Sequence, residues 1–214
     1  MRLFKFIAII ILPFTLFLLV IFFLAFNLNF YRSQYPLSNS PEQIDENLAA
    51  LQAQDVYSYL NYNQNQLTFT YTEKERLHLA DIKNIIFLFK VITLVLTVLT
   101  IVSWILIYLT SGLDRLIKNI FWSNIFSLAL YLALIISMML YFDQLFLLFH
   151  QLMFRNNYWQ LDPATENLIN VFPPQFFAGL LAKIMQSVLA VNVIIMIILS
   201  IVAAIHKKTT LKTS

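Results

Sequence analysis

Cysteine is absent from the 214 residues, and only two glycines are present. The first absence removes disulfides, thiolate metal sites and a cysteine nucleophile. The second removes the glycine-rich loops that cradle phosphates, and no G-x-G-x-x-G or Walker pattern occurs. Charge is scarce as well. Asp, Glu, Lys and Arg make up 12% of the chain against 60% hydrophobic residues, and mean hydropathy is +0.74. A soluble domain of this size is about one quarter charged. Such a chain cannot cover its apolar residues with its own surface, so a soluble globular enzyme is excluded, as is a disordered chain. The excess must face lipid.

Four charge-free runs are long enough to cross a bilayer, which needs roughly 20 apolar residues in helix: Phe6–Tyr31, Val91–Leu113, Asn119–Phe142 and Ile184–Ile205. The first follows Arg2 and Lys5 as a signal peptide would, but it is too long for an h-region and no small-residue cleavage site follows. It reads as a retained helix. Four spans put both termini on one side. The short ends and middle loop, Met1–Lys5, Ser111–Lys118 and His206–Ser214, hold seven basic residues and one acidic. The long segments Asn27–Lys90 and Asp143–Lys183 hold seven basic and ten acidic. The basic ends belong in the cytoplasm. The sequence pI of 9.1 is therefore orientation charge and carries no sign of nucleic-acid binding.

The fold class expected is an all-α polytopic membrane protein with four transmembrane helices and a small extracytoplasmic α/β subdomain between the first two. The chain is read as one membrane domain, 1–214: first span 6–28, outer subdomain 29–84, second span 85–110, inner loop 111–118, third span 119–142, outer helix and loop 143–180, fourth span 181–205 and cytoplasmic tail 206–214. In the outer subdomain, Ser40-Pro41-Glu42-Gln43 is a helix start with Pro at the first helical position. A short amphipathic helix over Gln43–Gln54 follows. Leu67–Tyr71 alternates with period two, which predicts a strand, and Val56–Leu60 is its expected hairpin partner. Thr72-Glu73-Lys74-Glu75 is a capping box. It opens a helix that meets no breaker before Ser111-Gly112. The third helix continues past its span toward Phe154. The Phe172-Pro-Pro-Gln-Phe-Phe177 stretch predicts irregular chain on the membrane surface.

Any chemistry must lie in the outer segments. His78 and Asp81 are i, i+3 neighbours on one helix face. Asp143 and His150 are seven apart and share a face. His78 stands 12 residues outside Lys90, and His150 stands 8 outside Phe142. At about 1.5 Å per residue these are similar heights on two antiparallel helices, so the imidazoles are placed to converge. A lone membrane histidine usually packs; two at one height, each with a carboxylate at helical spacing, point to proton chemistry. Asp81 and Asp143 are then either interfacial charges or groups that fix a histidine tautomer. A metal site of two His and two Asp is the sharper alternative, but no H-E-x-x-H or comparable cluster exists. His206 opens a cytoplasmic basic cluster, Lys90 snorkels, and Tyr158 and Trp159 read as interface-belt aromatics.

The run Thr72-Glu-Lys-Glu-Arg-Leu-His78-Leu-Ala-Asp81-Ile-Lys83 resembles the outer half of the second helix in Lit, the lipoprotein intramolecular transacylases of low-GC Gram-positive bacteria. Phe149-His150, Phe154, Asn157, Trp159, Asp162-Pro163 and the double-proline stretch resemble the second signature of that family. The departures at Ile82 and Met153 are conservative, and Pro36–Asn65 carries none of the likeness. The resemblance implies a multi-pass enzyme of the bacterial cytoplasmic membrane, among phospholipid, that acts on diacylglyceryl-modified lipoproteins at its outer face. It would move the sn-2 acyl chain to the N-terminal cysteine amine and leave a lyso-form lipoprotein, with no cofactor, no metal and no nucleic-acid partner. It also implies His78 and His150 as the acid–base pair, with either in either role. Asp81, Asp143, Asn157, Trp159 and Asp162 would support them or shape the pocket, and Arg76, Lys83 and Arg155 are the candidate oxyanion partners. The alternatives are a metal-dependent intramembrane hydrolase using the same residues and a non-enzymatic assembly or transport factor. Against transport, the spans carry almost no ionisable residue at mid-depth.

Overall fold

A computed structural model describes residues 2–25, 27, 29–30 and 46–213. Among these residues the regular structure is all helix: α1 (Arg2–Ala25), α2 (Glu46–Leu60), α3 (Glu73–Met153), α4 (Leu168–Val171) and α5 (Pro174–Thr213). Three of these, α1, α3 and α5, contain stretches long and apolar enough to cross a membrane. The helix start read at Ser40–Gln43 lies outside the described residues.

The 81-residue α3 does not run straight. In an unbroken helix, residues 78 and 150 would stand about 108 Å apart at 1.5 Å per residue. Their side-chain rings lie 6.2 Å apart, so the run turns back on itself. The left-handed backbone that permits this is at Gly112, φ 77. Only a residue without Cβ adopts it freely. The Thr72 capping box forms as the sequence predicts. Thr72 Oγ1 accepts from the Glu75 N–H, and a Glu75 carboxylate oxygen accepts from the Thr72 N–H at 2.6 Å. Glu73 and Glu75 add negative charge where the helix dipole is positive.

The chain divides into two compact units. One comprises Met1–Ile21, Val91–Ser137 and Ile184–Ser214. Several of its buried polar groups donate within their own helix. Ser123, Asn124, Ser127 and Asn192 donate to carbonyls four residues back, which is how a hydroxyl or amide is tolerated where no water reaches. Thr15 meets Thr100 at 3.1 Å, and the Tyr131 hydroxyl donates to the Pro13 carbonyl at 2.5 Å. The outward face is apolar, with Leu94 65% and Leu109 71% exposed; an uncovered surface of this kind suits lipid.

The other unit comprises Phe22–Lys90 and Met138–Lys183. It corrects the expected α/β subdomain, since no strand occurs among the described residues. Val56–Leu60 ends α2, because Ala49, Ala53, Val56 and Leu60 are buried at helical spacing and pack as one stripe. Part of that stripe joins Tyr71, Leu79 and Leu168, and part joins Phe30, Val171 and Phe176. The helix expected over Gln43–Gln54 therefore runs on to Leu60. Among the described residues Leu67–Tyr71 has no partner strand, and two of its backbone donors go to a side chain instead. The Asp55 carboxylate takes the N–H of Thr68 at 2.9 Å and of Phe69 at 3.2 Å, together with the Thr68 hydroxyl and the Gln64 amide. Burial works to raise the Asp55 pKa, but these hydrogen bonds outweigh it and hold the carboxyl below its ordinary value. After α2 the chain turns at Tyr62, whose backbone is left-handed. The Tyr62 and Tyr59 rings sandwich the Lys83 ammonium at 4.3 and 4.0 Å.

Candidate active site

His78 stands two turns into α3, and its height is set by the Thr72 cap beneath which the helix starts. It is 6% exposed. His150 stands in the last turn of the same helical run, four residues before Phe154, which turns extended and gives its N–H to the His150 carbonyl. The two rings are 6.2 Å apart between centroids. Aromatic rings enclose them: Phe154 contacts His78 at 4.9 Å and His150 at 5.6 Å, Phe146 contacts His150 at 4.4 Å, and Trp159 contacts His150 at 5.1 Å.

The nitrogens differ in what they do. His150 Nδ1 lies 2.7 Å from the Phe146 carbonyl. A carbonyl only accepts, so Nδ1 carries the hydrogen and Nε2 presents a lone pair. His78 Nδ1 is buried and has no hydrogen-bond partner among the described residues. Both rings are held neutral near pH 7. Burial pulls the His78 pKa down to about 4, His150 adds to the fall, and Asp81 opposes it. Burial also lowers the His150 pKa, against the pull of the Phe146 carbonyl.

The other sequence-predicted residues divide. Trp159 is at the pair, with its ring packed on His150. Asp81 acts on His78 only through space; its carboxylate accepts from the Asn156 amide at 2.9 Å. Asp143 is exposed and makes no hydrogen bond or ion pair among the described residues. Asp162 builds its own turn, accepting from the Ala164 N–H at 2.9 Å, and Asn157 accepts from the Gln160 N–H through its backbone. Arg76 and Arg155 are exposed, Lys83 is stacked on the two tyrosines, and none of the three touches either imidazole. Among the described residues, no three His, Cys, Asp or Glu side chains gather as metal ligands would. Sequence reasoning missed Phe146 and Asn156, and it named Phe154 and Glu75 without giving them a place at the site. The signal for Phe146 was its place four residues before His150.

Comparisons with known proteins follow the same line. The chain is similar to the in meso structure of the membrane integral lipoprotein intramolecular transacylase Lit from Bacillus cereus, with 20% identity over 98% of this chain and 97% of that one and a TM-score of 0.82. A histidine-to-arginine variant of that protein is similar at 19% identity, covering 97% of this chain and 94% of its own, with TM-score 0.81. A histidine-to-alanine variant is similar at 19%, covering 97% and 95%, with TM-score 0.80. No curated protein sequence matches. At such identities the solved structures establish a shared fold. The family model described as lipoprotein intramolecular transacylase Lit matches residues 6–177, well over half of the chain. The chain belongs to the Lit family of lipoprotein intramolecular transacylases, membrane acyltransferases that modify lipoproteins.

Proposed function

We propose that this protein moves the sn-2 acyl chain of a diacylglyceryl-modified lipoprotein from the glycerol oxygen to the amine of the N-terminal cysteine, with His78 and His150 carrying the proton. The amine nitrogen bonds to the ester carbonyl carbon, the bond from that carbon to the glycerol oxygen breaks, and one proton passes from nitrogen to oxygen. Atoms balance with no oxidant, reductant or water. Donor and acceptor share one molecule, so much of the rate comes from holding them together.

His150 is the base. Its Nδ1–H is committed to the Phe146 carbonyl, which leaves Nε2 to take the amine proton. The proton then passes from His150 to the neighbouring His78, which gives it to the departing glycerol oxygen, so both rings end neutral as they began. Burial suits both steps: a neutral imidazole is ready to accept, and one with a depressed pKa gives up a proton readily once charged. Trp159 and Phe154 keep water from the rings.

The site sits at the extracytoplasmic surface of the cytoplasmic membrane among phospholipids. In this reading α1 and α5 each supply one span and α3 supplies two, 85–110 and 119–142, joined by the turn at Gly112. Both termini are cytoplasmic. The charge split between the short and long segments supports that orientation, and reporter fusions at Tyr62 and Asn157 are expected outside.

The observation that carries the reading is the pair of imidazoles, adjacent in an aromatic and dry setting, each with a ring nitrogen not spent on the protein. The test is a synthetic diacylglyceryl lipopeptide in vesicles with the purified protein. The free-amine form should convert to its N-acyl isomer and the N-acetylated form should remain unchanged. Release of free fatty acid from both would favour hydrolysis instead.

A further inference from the structure

Between α3 and α4, residues 154–167 carry Phe154 and Trp159 onto the two imidazoles. The segment has its own turns, with Gln160 bonded to Asn157 and both Thr165 and Glu166 bonded to Asp162. Those bonds shape it but do not say where it lies. Its placement over the histidines comes from side chains on the outer turns of α3. Lys74 donates to the Gln160 carbonyl and lies 3.4 Å from Glu166. Asp81 holds Asn156 at 2.9 Å. Between these ties stands Glu75, 1% exposed, whose Oε1 accepts from the Leu168 N–H at 2.6 Å across 93 residues of chain.

We propose that Glu75 is a positioning residue for the reaction: its buried carboxylate clamps the 154–168 segment to α3 so that Trp159 and Phe154 pack on His150 and His78. The inference rests on the proposed transacylation. A capping box needs only one carboxylate oxygen, and Oε2 already fills that role at the Thr72 N–H. An uncompensated buried charge is costly. The second oxygen recovers stability only where a donor meets it, and the donor here is the first N–H of α4. The cation next to it in sequence, Lys74, pairs with Glu166 instead. The two short, charge-assisted bonds therefore fix the register between the start of α3 and the far end of the segment that covers the site. They fall three residues before His78 on the helix and nine after Trp159 on the loop. Without the clamp, the segment keeps only the Lys74 and Asp81 ties to the outer turns of α3 among the described residues.

Glutamine at position 75 separates the two roles. Its side-chain oxygen still serves the Thr72 N–H, since a capping box accepts Glu or Gln. Its NH2 then faces the Leu168 N–H, donor against donor, and the clamp is lost while the cap survives.

The experiment uses the full chain in lipid vesicles with Trp104→Phe and Trp122→Phe, which leaves Trp159 as the single indole. A protonated imidazole quenches an adjacent indole, so Trp159 emission should fall as the pH drops and His150 charges. In Glu75→Gln this pH-dependent fall should shrink to less than about a third, and kcat for acyl transfer should drop about 10- to 100-fold, as for a group displaced by an ångström or so, with KM little changed. Asn156→Ala, which cuts the second tie, should shift both readings in the same direction by less and keeps the test open if Glu75→Gln does not accumulate. Glu73→Gln, exposed and outside the clamp, should leave both unchanged. An unaltered Trp159 titration in Glu75→Gln would overturn the clamp. A lost titration with unaltered kcat would overturn its part in the reaction. If the parent protein shows no acyl transfer while its Trp159 titration still depends on Glu75, the transacylase reading fails and the clamp stands.

Discussion

The imidazoles of His78 and His150 lie 6.2 Å apart, centroid to centroid, although 72 positions separate them within one helical run. The turn at Gly112 brings the two arms of α3 back together, and the Phe146 carbonyl fixes which nitrogen of His150 is protonated. Nitrogen-15 spectra of histidine-labelled protein should show His150 as the Nδ1–H tautomer and His78 neutral until the pH nears about 4. An Nε2–H tautomer at His150 would reassign the base.

Groups that act as one unit are strongly non-additive. His78→Ala and His150→Ala should each lower acyl transfer by about 10²–10⁴-fold, and the double variant should be barely worse than either. The measurement is conversion of a diacylglyceryl lipopeptide at matched protein levels. His206→Ala is the control. That ring lies 3.5 Å from Asp114, within the unit that excludes both catalytic candidates.

The pH dependence follows from rings that are already neutral. kcat/KM should rise with pH until the substrate amine, pKa about 7.7–8.0, is free, and should not fall again by pH 9. A descending limb near pH 7 would mean that the proton donor starts as imidazolium. Stability has its own window. The His78 pKa is depressed in the folded state, so the unfolded chain binds the extra proton first. Thermal stability should therefore decline as the pH falls from 6.5 toward about 4. A His78→Phe variant should lose that part of the decline.

Asp55 is expected to matter for the outer unit and not for chemistry. Asp55→Asn replaces a carboxylate that accepts from Thr68, Phe69 and Gln64, and should cost about 1.5–3 kcal/mol, read as a lowered melting temperature with kcat little changed in the folded fraction. Because the folded pKa of Asp55 is depressed, its contribution is present above the ordinary carboxylate value and fades as the pH falls through the lower folded value.

Gly112→Ala should destabilise by about 1–2 kcal/mol through its left-handed backbone alone. No atom lies within 4 Å of the added Cβ, so crowding plays no part. Heat-induced aggregation in detergent is the readout, and an unchanged midpoint would show that the turn accommodates a side chain.

What was legible in the sequence was local and periodic. The Thr72–Glu75 box announced the start of α3, and the continuation past 142 toward Phe154 followed from an apolar run without a breaker. Heights counted along two helices put His78 and His150 at a similar level, where the rings do meet. What was not legible were the choices that side chains make across the chain. Leu67–Tyr71 alternates like a strand, but Asp55 claims its amides. Asp81 sits one turn from His78, yet it holds Asn156. Asp143 shares a helix face with His150 but stands about 10 Å below it along the axis. Spacing gives a common face; it does not say which partner a carboxylate takes.

The central claim is that these histidines move an acyl chain within one lipoprotein. Fragment-ion mass spectrometry of a lipoprotein N-terminus tests it most directly, because the product is an isomer and only the fragments locate the acyl group. The lipoprotein would be isolated from bacteria expressing either the wild-type chain or His78→Ala/His150→Ala. With the wild type, one acyl chain should appear on the cysteine nitrogen and one on glycerol. With the double variant, both should remain on glycerol. Two acyl chains on glycerol with the wild-type protein, or N-acylation that persists in the double variant, would contradict the account.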